Sequence, residues 1–128
     1  MKFKMKVTIK TKNIESADSL REFAEEKFYA LKKFIDVLKR EEEKNTLAEV
    51  LVELEKETKH HRKGDIFWAK CKIQLPGRIL MSKSKSDDLL KAVVSARDEM
   101  KMEIEKYKFK KTDIRRREQR RAKRGRIE

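Results

Sequence analysis

Residues 2–11, KFKMKVTIKT, alternate without a break: Phe3, Met5, Val7 and Ile9 fall on one side, Lys2, Lys4, Lys6, Thr8 and Lys10 on the other. A period of two predicts a strand with one buried face. The period then lengthens. Leu20, Phe23, Ala24, Phe28, Leu31, Phe34, Ile35 and Leu38 recur at three-to-four spacing, which predicts one amphipathic helix from about Asp18 to Lys39, capped by Ser16 or Asp18. Alternation returns at Leu47–Glu57, with Val50, Val52 and Leu54 on one face. A polar turn at His60–Asp65, centred on Gly64, leads to a third strand at Ile66–Leu75 with Phe67, Ala69, Cys71, Ile73 and Leu75 inward. Pro76-Gly77 fits a tight turn into a fourth strand at about Arg78–Lys85. Ser86 or Asp87 then opens a second helix, whose apolar stripe is Leu89, Ala92, Val93, Ala96, Met100, Ile104 and Tyr107.

The order β-α-β-β-β-α predicts an α+β fold: a four-stranded sheet with both helices on one face. The other face is expected to stand open. It carries Lys2, Lys4, Lys6 and Lys10, then Glu49, Glu53 and Glu55, then Lys70 and Lys72. With the second strand between its neighbours these become cross-strand ion pairs, and a solvated charge ladder is favoured over a binding surface. Trp68 falls on that face too, and packing across strands against Leu51 or Met81 is preferred to a base-stacking role.

Charge adds a second feature. Lys108 to Glu128 holds eleven Lys or Arg against three acids, so this segment carries +8 of a net +13. Its few hydrophobes, Phe109, Ile114, Ala122 and Ile127, are too sparse to order it in a core. The chain therefore divides into a body at 1–108 and a basic tail at 109–128, either disordered or ordered by binding. A dense cationic segment behind a foldable domain selects a polyanion, and nucleic acid leads. No apolar run approaches a membrane span or a signal peptide, and the single Cys71 fits a reducing compartment, so a cytoplasmic protein is expected.

Thr11-Lys12-Asn13-Ile14-Glu15, Leu20-Arg21-Glu22-Phe23 and Glu25-Glu26-Lys27-Phe28 form one group of informative residues. Ile73-Gln74-Leu75-Pro76-Gly77, Ile79-Leu80, Ser86-Asp87-Asp88-Leu89, Ala92-Val93 and Lys106-Tyr107-Lys108 form another. In this order and spacing, over roughly residues 5–108, the chain resembles the ribosome hibernation promoting factor and ribosome-associated inhibitor family, in its short, sigma-54 modulation protein-like form. The resemblance implies a non-enzymatic factor. Such factors bind small-subunit ribosomal RNA and neighbouring ribosomal proteins in the messenger and tRNA decoding region, excluding messenger and tRNA. Lys12, Arg21, Lys27, Lys33, Lys106 and Lys108 stand where that family commonly has a basic residue. Lys32 beside them, Lys91, Arg97 and Lys101 on the second helix, and Lys110, Lys111, Arg115, Arg116, Arg117, Arg120 and Arg121 in the tail complete the expected RNA-binding set. Lys and Arg on rigid helices suit folded RNA, which is bound through phosphates, 2′-hydroxyls and shape.

The chain also departs from the pattern. Glu99, Met102 and Glu105 occupy positions where basic residues are usual, Leu90 replaces a frequent Tyr, and Ala17 replaces a capping Ser or Thr. The tail is expected to compensate. Neither the acidic tail of some short relatives nor the dimerising domain of long ones is expected. No cofactor, metal, membrane or small-molecule substrate is expected either. His60, His61 and Cys71 lack the spacing of a zinc site. A ribonuclease using His60 or His61 as base has nothing to orient the imidazole. A general double-stranded RNA-binding module is the main alternative, disfavoured by Ser86, Asp87 and Asp88 at the start of the second helix.

Overall fold

The computed structural model describes residues 5–15, 17–38, 48–58, 64–75 and 78–126. The elements are β1 (Met5–Lys12), α1 (Asp18–Tyr29), α2 (Lys32–Leu38), β2 (Ala48–Thr58), β3 (Asp65–Leu75), β4 (Arg78–Ser86) and α3 (Leu89–Arg126). Lys2, Phe3, Lys4, Ser16, His60, His61 and the Pro76-Gly77 turn lie outside the described residues.

The strands form one sheet in the order β1-β2-β3-β4, with β1 parallel to β2 and the remaining pairs antiparallel. Parallel neighbours need a crossover, and α1 and α2 lie within the one between β1 and β2. The register converts the alternation of each strand into rows. Val7, Val50 and Ile73 form one row, Ile9, Val52 and Cys71 the next, and Leu54 meets Ala69. The helices cover this apolar face: α3 packs across β4 and β3, α1 against β1, and α2 against α3. Phe28, Leu31, Ile35, Val93, Met100 and Ile104 are each no more than 2% exposed. Burying each such side chain contributes about 1.5–3 kcal/mol, so the helical layer is fixed rigidly to the sheet. Among the described residues Ser82 on β4 is the polar exception, and its hydroxyl donates to the Ala96 carbonyl of α3 at 2.9 Å.

The first helical stretch is two helices rather than one. The Leu31 N–H donates to the Phe28 carbonyl at 3.1 Å, a tightened turn that ends α1 and re-aims α2. Phe28, Leu31 and Ile35 keep their three-and-four spacing through the break and all remain buried, so the periodicity passes over it unchanged. The N-cap of α1 is Ala17, with no side-chain cap, and Asp18 is the first helical residue. At α3 the cap is Asp88, one residue beyond Asp87 and two beyond Ser86, the expected caps. Its Oδ1 accepts from the N–H groups of Leu90 at 2.9 Å and Lys91 at 3.4 Å. Asn13 takes φ 60 in the turn after β1, a left-handed conformation that Asn tolerates.

The backbone of the basic segment continues α3, giving a helix of 38 residues. Burial falls away along this helix: Ile104 is buried, Tyr107 half-buried, and Lys108, Lys110 and residues 116–122 are exposed. At 1.5 Å per residue, the helix runs about 28 Å past Tyr107. Lys, Arg, Gln, Glu and Ala are good helix formers, and extending an existing helix needs no new nucleus.

Candidate nucleic-acid interface

Four lysines of the helical layer lie along aromatic rings. Lys27 Nζ sits 5.3 Å from the Phe23 ring centre on α1, and Lys32 Nζ sits 5.8 Å from that of Tyr29. Phe34 receives two cations, Lys33 from α2 at 5.1 Å and Lys101 from α3 at 4.9 Å. An ammonium over a ring gains about 0.5–1 kcal/mol at an exposed site. More usefully, it holds a long side chain near one conformation, which lowers the ordering cost of about 0.5–1.5 kcal/mol per chain when a partner docks.

Phe34 therefore joins cations from two helices at one point. Arg97, Lys101 and Lys108 are four and seven residues apart, so they share a flank of α3 with that point. Arg97 is half-buried and holds the Asp98 carboxylate at 2.9 Å. The remaining expected residues are dispersed. Arg21 and Lys27 are six residues apart, about 120° around α1, and flank its buried stripe from opposite sides. Lys106 lies on a different side of α3 from Lys101 and pairs with Glu103 at 3.5 Å. Lys91 is exposed at the start of α3. Lys12 belongs to the open face of the sheet, where it meets Glu55 at 3.6 Å. Lys110, Arg116, Arg117, Arg120 and Arg121 are exposed on the helical extension, and Lys111 and Arg115 lie on the same stretch of backbone.

On the open face, Lys6 stands opposite Glu49, Lys10 opposite Glu53 and Lys12 opposite Glu55. Glu53 also faces Lys70 on its other side, so one rung of the expected ladder, Lys10–Glu53–Lys70, runs across three strands, while Glu49 and Glu55 face Gln74 and Trp68 on β3. The pattern stops at β3. Lys72 lies between Leu51 and Met81, Lys70 faces Lys83, and Trp68 faces Lys85. Trp68 is not packed on Leu51 or Met81, whose row is four residues, about 13 Å, further along the strand. Its indole Nε1 instead donates to Glu57 Oε2 at 2.7 Å, and Lys83 and Lys85 lie over its ring at 4.3 and 5.5 Å. Lys83 and Lys85 are absent from the sequence-derived set. Outward alternation of Ile79, Met81, Lys83 and Lys85 along β4 was the available signal.

Burial pushes the Cys71 thiol up to about 12, the direction opposite to that of a reactive cysteine. Among the described residues no group of three His, Cys, Asp or Glu side chains could hold a metal ion. No helix among them is long and apolar enough to cross a membrane.

The family model for sigma 54 modulation protein / S30EA ribosomal protein matches residues 7–112. The chain belongs to that family. No curated protein matches the sequence. Two solved structures show where this S30EA family member's fold recurs. The crystal structure of the Thermus thermophilus Protein Y N-terminal domain is 18% identical with a TM-score of 0.57, covering 84% of this chain and 99% of that one. A ribosomal subunit interface protein from Coxiella burnetii is 16% identical with a TM-score of 0.55, covering 80% of this chain and 96% of that one. At these identities the likeness is one of fold, and it covers most of the S30EA family member's chain.

Proposed function

We propose that this S30EA family member is a ribosome hibernation factor. It binds small-subunit ribosomal RNA in the messenger and tRNA decoding region and keeps messenger and tRNA out. The observation that carries this reading is the convergence of Lys33 and Lys101 on Phe34, which gives two rigid helices a shared cationic point. Arg97 and Lys108 extend it along α3, and the exposed arginines of the helical extension continue the charge away from the body. Family membership and the fold shared with a ribosomal subunit interface protein support the choice of the ribosome among polyanions. The factor acts by occupancy and does no chemistry on its partner.

The start of α3 speaks against a general duplex-RNA module. There the Asp88 carboxylate accepts from the Leu90 and Lys91 amides that a phosphate would need. The test is translation inhibition and cosedimentation with small subunits, wild type against the triple variant Arg21→Glu, Lys27→Glu, Lys33→Glu. Loss of both in the variant is expected. Full inhibition by the variant would mean that another surface binds, and displacement of wild type by excess ordinary duplex RNA would favour the duplex module.

A further inference from the structure

The β3–β4 half of the open sheet face carries more positive charge than the neighbouring strand β2 balances. Its outward positions carry Lys70, Lys72, Lys83 and Lys85 without an Asp or Glu, and β2 sets only Glu53 against Lys70 and Glu55 against Trp68. Lys70 and Lys83 stand directly opposite each other, a like-charge pairing that destabilises a sheet. Beside them lie the half-buried Trp68 and a shallow hollow of about 250 Å³ with Leu51, Met81, Glu53 and the lysines Lys70, Lys72 and Lys83 in its walls. Met81 is 67% exposed, unusual for so large an apolar side chain.

We propose that this half-face is a second RNA-binding surface, taking a single-stranded segment on the side of the protein opposite the helices. The chemistry of the occupant follows from what each group lacks. Glu57 already satisfies the Trp68 N–H, which leaves the ring's π-face as its remaining recognition element. That face now has the Lys83 ammonium 4.3 Å from its centre. A nucleotide serves both groups, since its base stacks on the indole while its phosphate takes the displaced ammonium. A second phosphate relieves the repulsion between Lys70 and Lys83. An acidic peptide would neutralise the lysines but give the ring no stacking partner. Duplex RNA cannot offer an unstacked base.

The choice of RNA among polyanions rests on the ribosomal reading, but the surface is tested apart from it. Trp68 is the chain's single tryptophan, so its emission reports this face and no other. Wild-type full chain is titrated with oligouridine, with an RNA duplex and with polyglutamate, at low salt. Quenching by oligouridine at concentrations where the other two leave emission unchanged is expected. In the Lys83→Gln/Lys85→Gln variant the oligouridine affinity should fall about 10-fold and its log–log salt slope by about 1.4, two contacts at about 0.7 each. Thermal unfolding of the variant checks that it is folded.

Unchanged emission while labelled oligouridine is bound, by anisotropy, would overturn the proposal, because the RNA would then sit on the helices. Absence of oligouridine binding would overturn it too, as would an unaltered affinity in the folded variant. Quenching by polyglutamate instead would make this an acidic-peptide surface. Failure of the ribosomal reading looks different: wild type would ignore small subunits whatever Trp68 reports.

Discussion

Deleting residues 109–128 removes ten Lys or Arg and three acids, and the helical form of this segment fixes how many of those cations can act together. Arg116 and Arg121 are five residues apart, about 140° around α3, so a flat surface touching one misses the other. Arg116 and Arg117 diverge by about 100°, as do Arg120 and Arg121. A straight helix laid against ribosomal RNA thus engages roughly half of the ten, about five phosphates, at about 0.7–0.9 of log-slope each. The deletion should flatten the plot of log affinity against log salt by about 3.5–4.5. Between about 50 and 200 mM salt, wild type should lose about 100- to 500-fold more affinity than the deletion variant. Small-subunit binding by fluorescently labelled chain, at constant magnesium, measures both slopes. An unchanged slope would refute any phosphate contact by this segment. A change of about 7–9 would refute the helical presentation, since all ten cations can engage only if the backbone unwinds and wraps the RNA.

Two further outcomes concern the body. Burial raises the Cys71 thiol from 9.0 to about 12, so the folded state keeps a proton that the unfolded state gives up as pH rises past 9.0. That stabilisation is whole below the unfolded value and is lost through the window up to about 12, at about 1.4 kcal/mol per pH unit. Urea unfolding between about pH 8 and 10.5 should therefore fall more steeply for wild type than for Cys71→Ala, and parallel curves would contradict it. Ala17 leaves the first amides of α1 without a side-chain cap, so Ala17→Ser should stabilise by about 1 kcal/mol and raise Tm by about 4 °C. A calorimetric Tm at or below that of wild type would show those amides to be satisfied already.

The alternating strands were legible because inward residues such as Ile9, Val52, Cys71 and Ile73 obey a period of two with no competing period. The stripe Ala92, Val93, Ala96, Met100 and Ile104 was equally clear. Breaks that preserve the pattern were not legible, and the turn at Ala30 and Leu31 is one such. Among Ser86, Asp87 and Asp88, three consecutive capping types, only backbone geometry decides which one meets the free amides. The neighbours of Trp68 depend on how β3 is registered against both β2 and β4, and alternation, which repeats every two residues, fixes the face but not the partner. For the candidate site, sequence supplied the cations but not their grouping. Lys33 and Lys101 are 68 residues apart in the chain, and they meet only because α2 packs on α3. Glu99 was legible as a lost positive charge, while its contact was not: its carboxylate accepts the Lys83 backbone N–H at 3.4 Å.

That last contact bears on how the molecule behaves in company. β4 is a border of the sheet, and a border strand invites a neighbouring copy to add itself as the next strand. Glu99 occupies one of the rungs such an intruder would need, and Lys83 and Lys85 confront it with like charge. Crowded together, copies of this protein thus meet an obstacle to joining edge to edge through β4. The lysines that we assign to a strand of RNA also act as fenders, so neutralising them to weaken RNA affinity would erode colloidal stability as well.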